Sequence, residues 1–276
     1  MNEVLLSKQG AGAFITFNRP KESNALNPDM LKTISKFISS LRQDEEARYL
    51  VIEGAGKNFS AGGDLAVYAK TLELPDIERK LFFEERVRGN AECFIQLNEL
   101  SIPTISILRG AAAGAGLSFL LASDFVLAAE DSVLIFAQTR IGLPLDLSLT
   151  YHLPRKIGVN AARKLALTGA RIDAQLAMHL GIVDETHPSD QLSTALANLT
   201  EQFNHVAPKA AARSKQLINT SEGFDLKEQM EREVQAIGEC VIEPDFREGV
   251  ESFMQKRRAV FTGRSETLSK NNGQAG

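Results

Sequence analysis

Two glycine-rich stretches carry the residue types best suited to chemistry: Phe59-Ser60-Ala61-Gly62-Gly63-Asp64 and Gly110-Ala111-Ala112-Ala113-Gly114-Ala115-Gly116. Each follows a run that reads as a buried strand, and each precedes a helix. Small residues there let main-chain N–H groups approach a ligand closely. A helix N-terminus adds unpaired donors and partial positive charge. Two such loops can aim two N–H groups at one oxygen, which is the geometry of an oxyanion hole. The alternative is tight helix–sheet packing with ordinary turns. A dinucleotide site fits less well: the second loop is spaced GxxxGxG rather than GxGxxG, and neither loop is followed by an acid on a strand end in the ribose-binding place. One acid stands out downstream. Asp146 follows Ile141-Gly142-Leu143-Pro144-Leu145, and its apolar neighbours Leu143, Leu145 and Leu147 would raise its pKa by desolvation and make it a better base. Placed before Leu147-Ser148-Leu149, it reads equally well as a helix N-cap. No GxSxG elbow, P-loop or HExxH pattern is present. The four histidines, His152, His179, His187 and His205, lie apart, so no metal site is expected.

The elements that must hold these residues alternate through the first half. Val4 to Ser7 and Ala13 to Phe17 read as paired strands. Asn27-Pro28 starts a helix, Asn as cap and Pro at the first helical position, running to about Leu41. Tyr49 to Glu53 is a buried strand. A long amphipathic helix spans about 76–100; its Glu84, Glu85, Arg86 and Arg88 read as a solvated face. Strands follow at Thr104 to Leu108, Phe125 to Ala128 and Val133 to Phe136, giving an α/β pattern. Beyond Leu147 the chain reads as almost all helix, with one short run at Ile182-Val183 and C-terminal helices over 223–242 and 244–260.

Composition bounds the partners. Among 276 residues, 31 basic and 35 acidic side chains leave a net charge of −4, which gives no electrostatic footprint for nucleic acid or membrane. Cys93 and Cys240 are far apart and outside any CxxC pattern, so they read as reduced thiols. No secretory signal, membrane span or lipidation motif is visible. A soluble, cytoplasmic protein acting on a small molecule is expected.

The ordered set FNRPKESNALN (17–27), FSAGGDL (59–65), PTISILRGAAAGAGLSFLLASD (103–124), IGLPLD (141–146) with LPRKIG (153–158), LTGARIDAQLAMHLGIVDE (167–185) and EGVESFMQKRRAVFTG (248–263) resembles the crotonase, or enoyl-CoA hydratase/isomerase, superfamily over about residues 3–263. The resemblance implies an α/β spiral of stacked ββα units with a C-terminal helical trimerisation region. It divides the chain into an acyl-CoA-binding core (1–200), an oligomerisation region (201–263) and a flexible tail (264–276). It implies an acyl-CoA thioester substrate, no cofactor beyond that CoA moiety, and a homotrimer or dimer of trimers. By position, the backbone N–H groups of Gly63 and Ala115 form the oxyanion hole. Relatives usually carry glycine where Ala115 stands, so a costly positive φ is expected there. Arg19, Lys21, Ser23, Ala25, Ala61, Gly62, Asp64 and Leu65 fall in the stretches that line the CoA groove.

Hydratases of the family use two glutamates, and the matching positions here are Ser118 and Gln138. Neither can act as a carboxylate base, which disfavours ordinary hydration. Ser118, Gln138 and Leu143 become acyl-pocket candidates, with Gln138 suited to orienting substrate and Ser118 to packing. Asp146 matches the aspartate that isomerase branches use to move a proton. The chlorobenzoyl-CoA dehalogenase branch also needs a histidine, and the matching position is Ala91. The resemblance therefore implies an acyl-CoA isomerase with one acid. A hydratase or lyase with other catalytic groups, and a degenerate acyl-CoA-binding oligomer, are the alternatives.

Overall fold

The computed structural model describes residues 2–264. Its elements in chain order are β1 (Val4–Gln9), β2 (Gly12–Phe17), α1 (Pro28–Leu41), β3 (Tyr49–Gly54), α2 (Leu65–Lys70), α3 (Asp76–Asn98), β4 (Thr104–Leu108), β5 (Ala111–Ala113), α4 (Ala115–Ala122), β6 (Phe125–Ala129), β7 (Val133–Ile135), α5 (Leu149–Ile157), α6 (Val159–Thr168), β8 (Arg171–Asp173), α7 (Ala174–His179), β9 (Glu185–His187), α8 (Leu192–Phe203), α9 (Pro208–Thr220), α10 (Leu226–Val241) and α11 (Pro244–Met254). The chain divides into a unit over 1–198 and a unit over 199–276, the boundary falling within α8. The tail expected over 264–276 lies, after Arg264, outside the described residues.

In the first unit a six-stranded sheet runs β1-β2-β3-β4-β6-β9, and a three-stranded sheet runs β5-β7-β8. The hairpin β1/β2 is antiparallel, whereas β2, β3, β4, β6 and β9 are mutually parallel. Parallel strands need crossovers, and α1, α3 and α4 supply them. The strands β3 and β4 are buried and read as continuous apolar runs, as sheets covered on both faces do. α1 starts as its sequence dictates: the Asn27 side chain accepts from the Met30 amide at 2.9 Å, and Pro28 occupies the first turn. Its face Met30, Leu31, Ile34, Ile38 and Leu41 is buried. An aromatic cluster lies at the centre. Phe17 meets Phe59 edge-on at 5.4 Å and Phe119 at 5.0 Å, and Phe119 meets Phe94 at 4.8 Å. β2, the first glycine loop, α3 and α4 are thereby locked together.

Three expectations change. Ile182 and Val183 are buried but form no strand; both amides bond back to the Ala177 carbonyl, closing α7, and the chain joins the sheet only at β9. Ala111–Ala113, expected as loop, pairs with β7 because its small side chains let it sit in the second sheet. The last helix stops at Met254 rather than near residue 260, because Lys256 turns left-handed (φ 54°) and the Arg257 amide closes on the Ser252 carbonyl.

In the second unit, α10 begins with a capping box between Asp225 and Glu228. Arg257 grips Glu248 with two bonds, 2.6 and 2.7 Å, and holds that half-buried carboxyl down at about 2. Met230, Val234, Ile237 and Val241 are exposed along α10. Among the described residues no helix is long and apolar enough to cross a membrane.

Candidate active site

The first glycine loop is fixed by a small polar network. Asn24, fully buried and left-handed (φ 56°), accepts the Arg19 amide at 2.9 Å and donates to the carbonyls of Ala55 (2.9 Å) and Asn58 (2.7 Å). Ser60 donates to the Asn24 carbonyl at 2.8 Å and accepts from the Gly62 amide at 3.1 Å. The Leu26 amide then takes the Gly62 carbonyl at 2.7 Å. The Ser60 hydroxyl and the Gly62 N–H and carbonyl are thereby spent on shape, whereas the Gly63 N–H is not. Gly62 has φ +86°, and a methyl group added to it would lie 2.6 Å from the Ala113 carbonyl oxygen and 3.1 Å from the Ala115 nitrogen. That proximity is what brings the two loops together.

The second loop is held by the first. The amides of Phe59 and Ser60 bond to the Ala111 carbonyl at 3.0 and 3.2 Å, and Ala113 N–H returns to the Ser60 carbonyl at 2.9 Å. Gly114 takes the left-handed turn (φ 49°), and α4 starts at Ala115. The strain expected at Ala115 therefore does not arise, because the positive φ falls one residue earlier, on a glycine. As the first residue of α4, Ala115 has an N–H with no intrahelical partner. Among the described residues, no acceptor closes on the amide of Gly63 or Ala115.

Gly63, Ala115 and Asp146 line one cavity of about 560 Å³ together with Leu143, Leu147 and Tyr68. A methyl group at Gly63 would collide with the Tyr68 hydroxyl, which accounts for glycine at that position. Asp146 is not a helix cap. Ser148 occupies that position before α5, without a side-chain bond, and Asp146 sits earlier in an irregular stretch. Leu147 and Ser148 are both left-handed, φ 46° and 72°. Two successive non-glycine residues in that region cost about 1–3 kcal/mol each. Burial pushes the Asp146 carboxyl above its ordinary value, opposed by the Gln138 amide and by the nearby charge of Arg86. Gln138 Nε2 approaches Asp146 Oδ1 at 3.5 Å, at the weak limit of hydrogen bonding.

The other expected residues distribute unevenly. Gln138 is buried in a short 3-10 turn, with Oε1 unpartnered. Ser118 is wholly buried on α4, its Oγ also unpartnered, and it does not line the cavity. Arg19 is engaged by Glu3 (3.1 Å), Asp64 (3.2 Å) and the Ala25 carbonyl (2.7 Å). Asp64 caps α2 by accepting from the Ala66 amide at 3.1 Å. Lys21 is exposed, Ser23 half-buried and left-handed, Ala25 buried, Ala61 exposed, and Leu65 exposed to 56%.

Sequence reasoning missed Tyr68 and Asn90, and it read Arg86 as part of a solvated face. The face read as solvated corrects in part: Glu84, Arg86 and Arg88 line the cavity, because α3 turns that side towards the glycine loops. The signal was the spacing Phe83, Arg86, Val87, Asn90, one helical stripe mixing apolar and polar residues. Among the described residues no group of three or more His, Cys, Asp or Glu could hold a metal ion.

A family model described as enoyl-CoA hydratase/isomerase matches residues 7–264. The short-chain-enoyl-CoA hydratase of Clostridium acetobutylicum is 32% identical, covering 94% of this chain and 97% of its own length. The 1,2-epoxyphenylacetyl-CoA isomerase of Escherichia coli is 31% identical, covering 96% of this chain and all of its own. The crystal structure of an enoyl-CoA hydratase/isomerase from Marinobacter aquaeolei superposes with a TM-score of 0.86 at 30% identity, covering 93% of this chain and 98% of that one. Matched by the family model from β1 to the end of the described residues, and by relatives over nearly their full lengths, the chain belongs to the enoyl-CoA hydratase/isomerase family of the crotonase superfamily.

Proposed function

We propose that the protein is an acyl-CoA isomerase that shifts a double bond through a thioester enolate, with Asp146 as the single acid/base. The observation that carries the reading is one cavity lined by two glycine-loop residues with unspent amides and by a carboxyl that burial makes more basic. In a 3-enoyl thioester the carbonyl oxygen sits between the N–H groups of Gly63 and Ala115. Asp146 takes a proton from the α carbon, and the electron pair moves onto that oxygen as the dienolate forms. The two amides stabilise the new charge; one such donor is worth about 10²–10³ in rate. Asp146, now protonated, returns the proton at the γ carbon, giving the 2-enoyl thioester. No water is consumed and no atom is lost. The stretches around Arg19 to Ala25 and Ala61 to Leu65 border the CoA moiety, and a second and third copy of this chain cover the exposed apolar residues of α10 and α11.

Hydration is the second reading, favoured by the name of the Clostridium relative. Against it stand Ser118 and Gln138, neither of which can deprotonate water. The deciding experiment measures the allylic shift of a 3-enoyl-CoA and solvent deuterium exchange in wild type and Asp146→Asn. The expected loss is about 10²-fold or more. Equal rates in both proteins would remove Asp146 from the mechanism, and water addition to crotonyl-CoA faster than the shift would favour hydration. Sedimentation of a monomer would overturn the oligomer.

A further inference from the structure

The α3 wall of the cavity is more polar than an alkyl chain requires. Phe83, Arg86, Val87 and Asn90 fall on one stripe of that helix and all four line the cavity. Arg86 is half-buried and lies over the Tyr68 ring, 5.3 Å from its centroid. Among the described residues no carboxylate or carbonyl lies within hydrogen-bonding distance of its guanidinium, although the Asp146 carboxyl on the same cavity feels its charge. Asn90, one turn further on, is 7% exposed, and its amide has no hydrogen-bond partner among the described residues. Glu84 pairs with Lys80 at 2.8 Å, and the Asp146 carboxyl feels the Arg86 charge without bonding to it, its one side-chain contact being the 3.5 Å approach of Gln138. A methylene chain filling this space would strip water from the guanidinium and from the Asn90 amide and offer neither a hydrogen-bond acceptor, which is costly.

Resting on the acyl-CoA reading above, we propose that the acyl group ends in a carboxylate, received by the Arg86 guanidinium with the Asn90 amide as a further donor. The planar fork of arginine matches a carboxylate with two parallel bonds, and the cation–π contact with Tyr68 favours a guanidinium placed at the cavity wall. A neutral hydroxyl would satisfy Asn90 but not the charge. The substrate class is thus a thioester of a dicarboxylic acid.

The test uses saturated thioesters, which bind without turnover. Calorimetry would compare succinyl- with butyryl-CoA, glutaryl- with pentanoyl-CoA, and adipyl- with hexanoyl-CoA, on wild type, Arg86→Gln, Arg86→Lys and Asn90→Leu. In wild type, at least one acid binds about tenfold or more tighter than its neutral partner. R86Q brings that ratio to about one, R86K leaves it intermediate because a point charge replaces the fork, and N90L reduces it a few-fold. Ratios near one in wild type, or a preference that survives R86Q, would overturn the proposal. Tight binding of all six thioesters without preference would do so while leaving the isomerase reading intact. A clear preference for acids in a protein that shifts no double bond would sink the isomerase and keep this inference.

Discussion

The two glycine loops present the same kind of donor and reach it by different constraints. In the first, the amide of Gly63 is positioned by a network of buried side chains, and the Tyr68 hydroxyl occupies the space a Cβ would take. In the second, the amide of Ala115 is positioned by a helix start, and the conformational demand falls on Gly114. A side chain is therefore accommodated as the structure stands at one donor, whereas at the other it would have to displace the Tyr68 ring. Glycine richness alone does not identify which residue of a loop is indispensable; φ and the neighbouring atoms do.

The sharpest way to break this comparison is Gly62→Ala. It imposes a left-handed conformation on alanine and pushes against the Ala113 carbonyl that couples the loops. We expect a loss of about 1–3 kcal/mol in denaturant unfolding together with loss of activity. Gly63→Ala should leave unfolding almost unchanged, because Tyr68 can swing into the cavity. The rate should still fall, by up to about 10²-fold, as the donor is crowded. Tyr68→Ala added to it should recover part of that loss, and failure to do so would show that the Tyr68 hydroxyl is not what forbids a Cβ there.

Asp146→Asn tests the third member of the site through stability. Its folded pKa is raised above the unfolded value, so the native state holds the proton more tightly. The associated stability is present in full below the unfolded pKa, near 3.8, and is lost as pH rises through the folded pKa. The asparagine variant, which never ionises, should therefore be more stable than wild type at neutral pH, with the gap shrinking towards acid. A melting series across pH checks the sign. The smallest effect belongs to Ala115→Gly, which changes propensity at a helix end and should cost less than about 1 kcal/mol with the rate retained.

Much of this arrangement was legible in the residues. The glycine loops, the Asn27-Pro28 helix start and the apolar strands announced themselves through local rules that the structure obeys. Asp146 was visible as an acid among leucines, yet whether it caps a helix depended on where α5 begins, and Ser148 takes that place only through an unusual backbone. Arg86 and Asn90 were hidden for another reason. On a helix with charges on several sides, sequence cannot say which charged stripe faces a cavity, since the cavity is made by loops some 20 to 60 residues away (Gly63, Ala115, Asp146). Ile182 and Val183 misled because apolar, β-branched pairs serve a turn core as readily as a strand.

The left-handed pair Leu147 and Ser148 has a consequence for how this sequence can drift. Substitutions to glycine or asparagine at either position would relieve the backbone and make the fold sturdier, so random mutation offers an easy downhill exit. The same relief would unfasten the aspartate beside them and let its carboxyl wander. Leucine and serine at these two positions thus cost the fold robustness while they hold the backbone on which Asp146 sits.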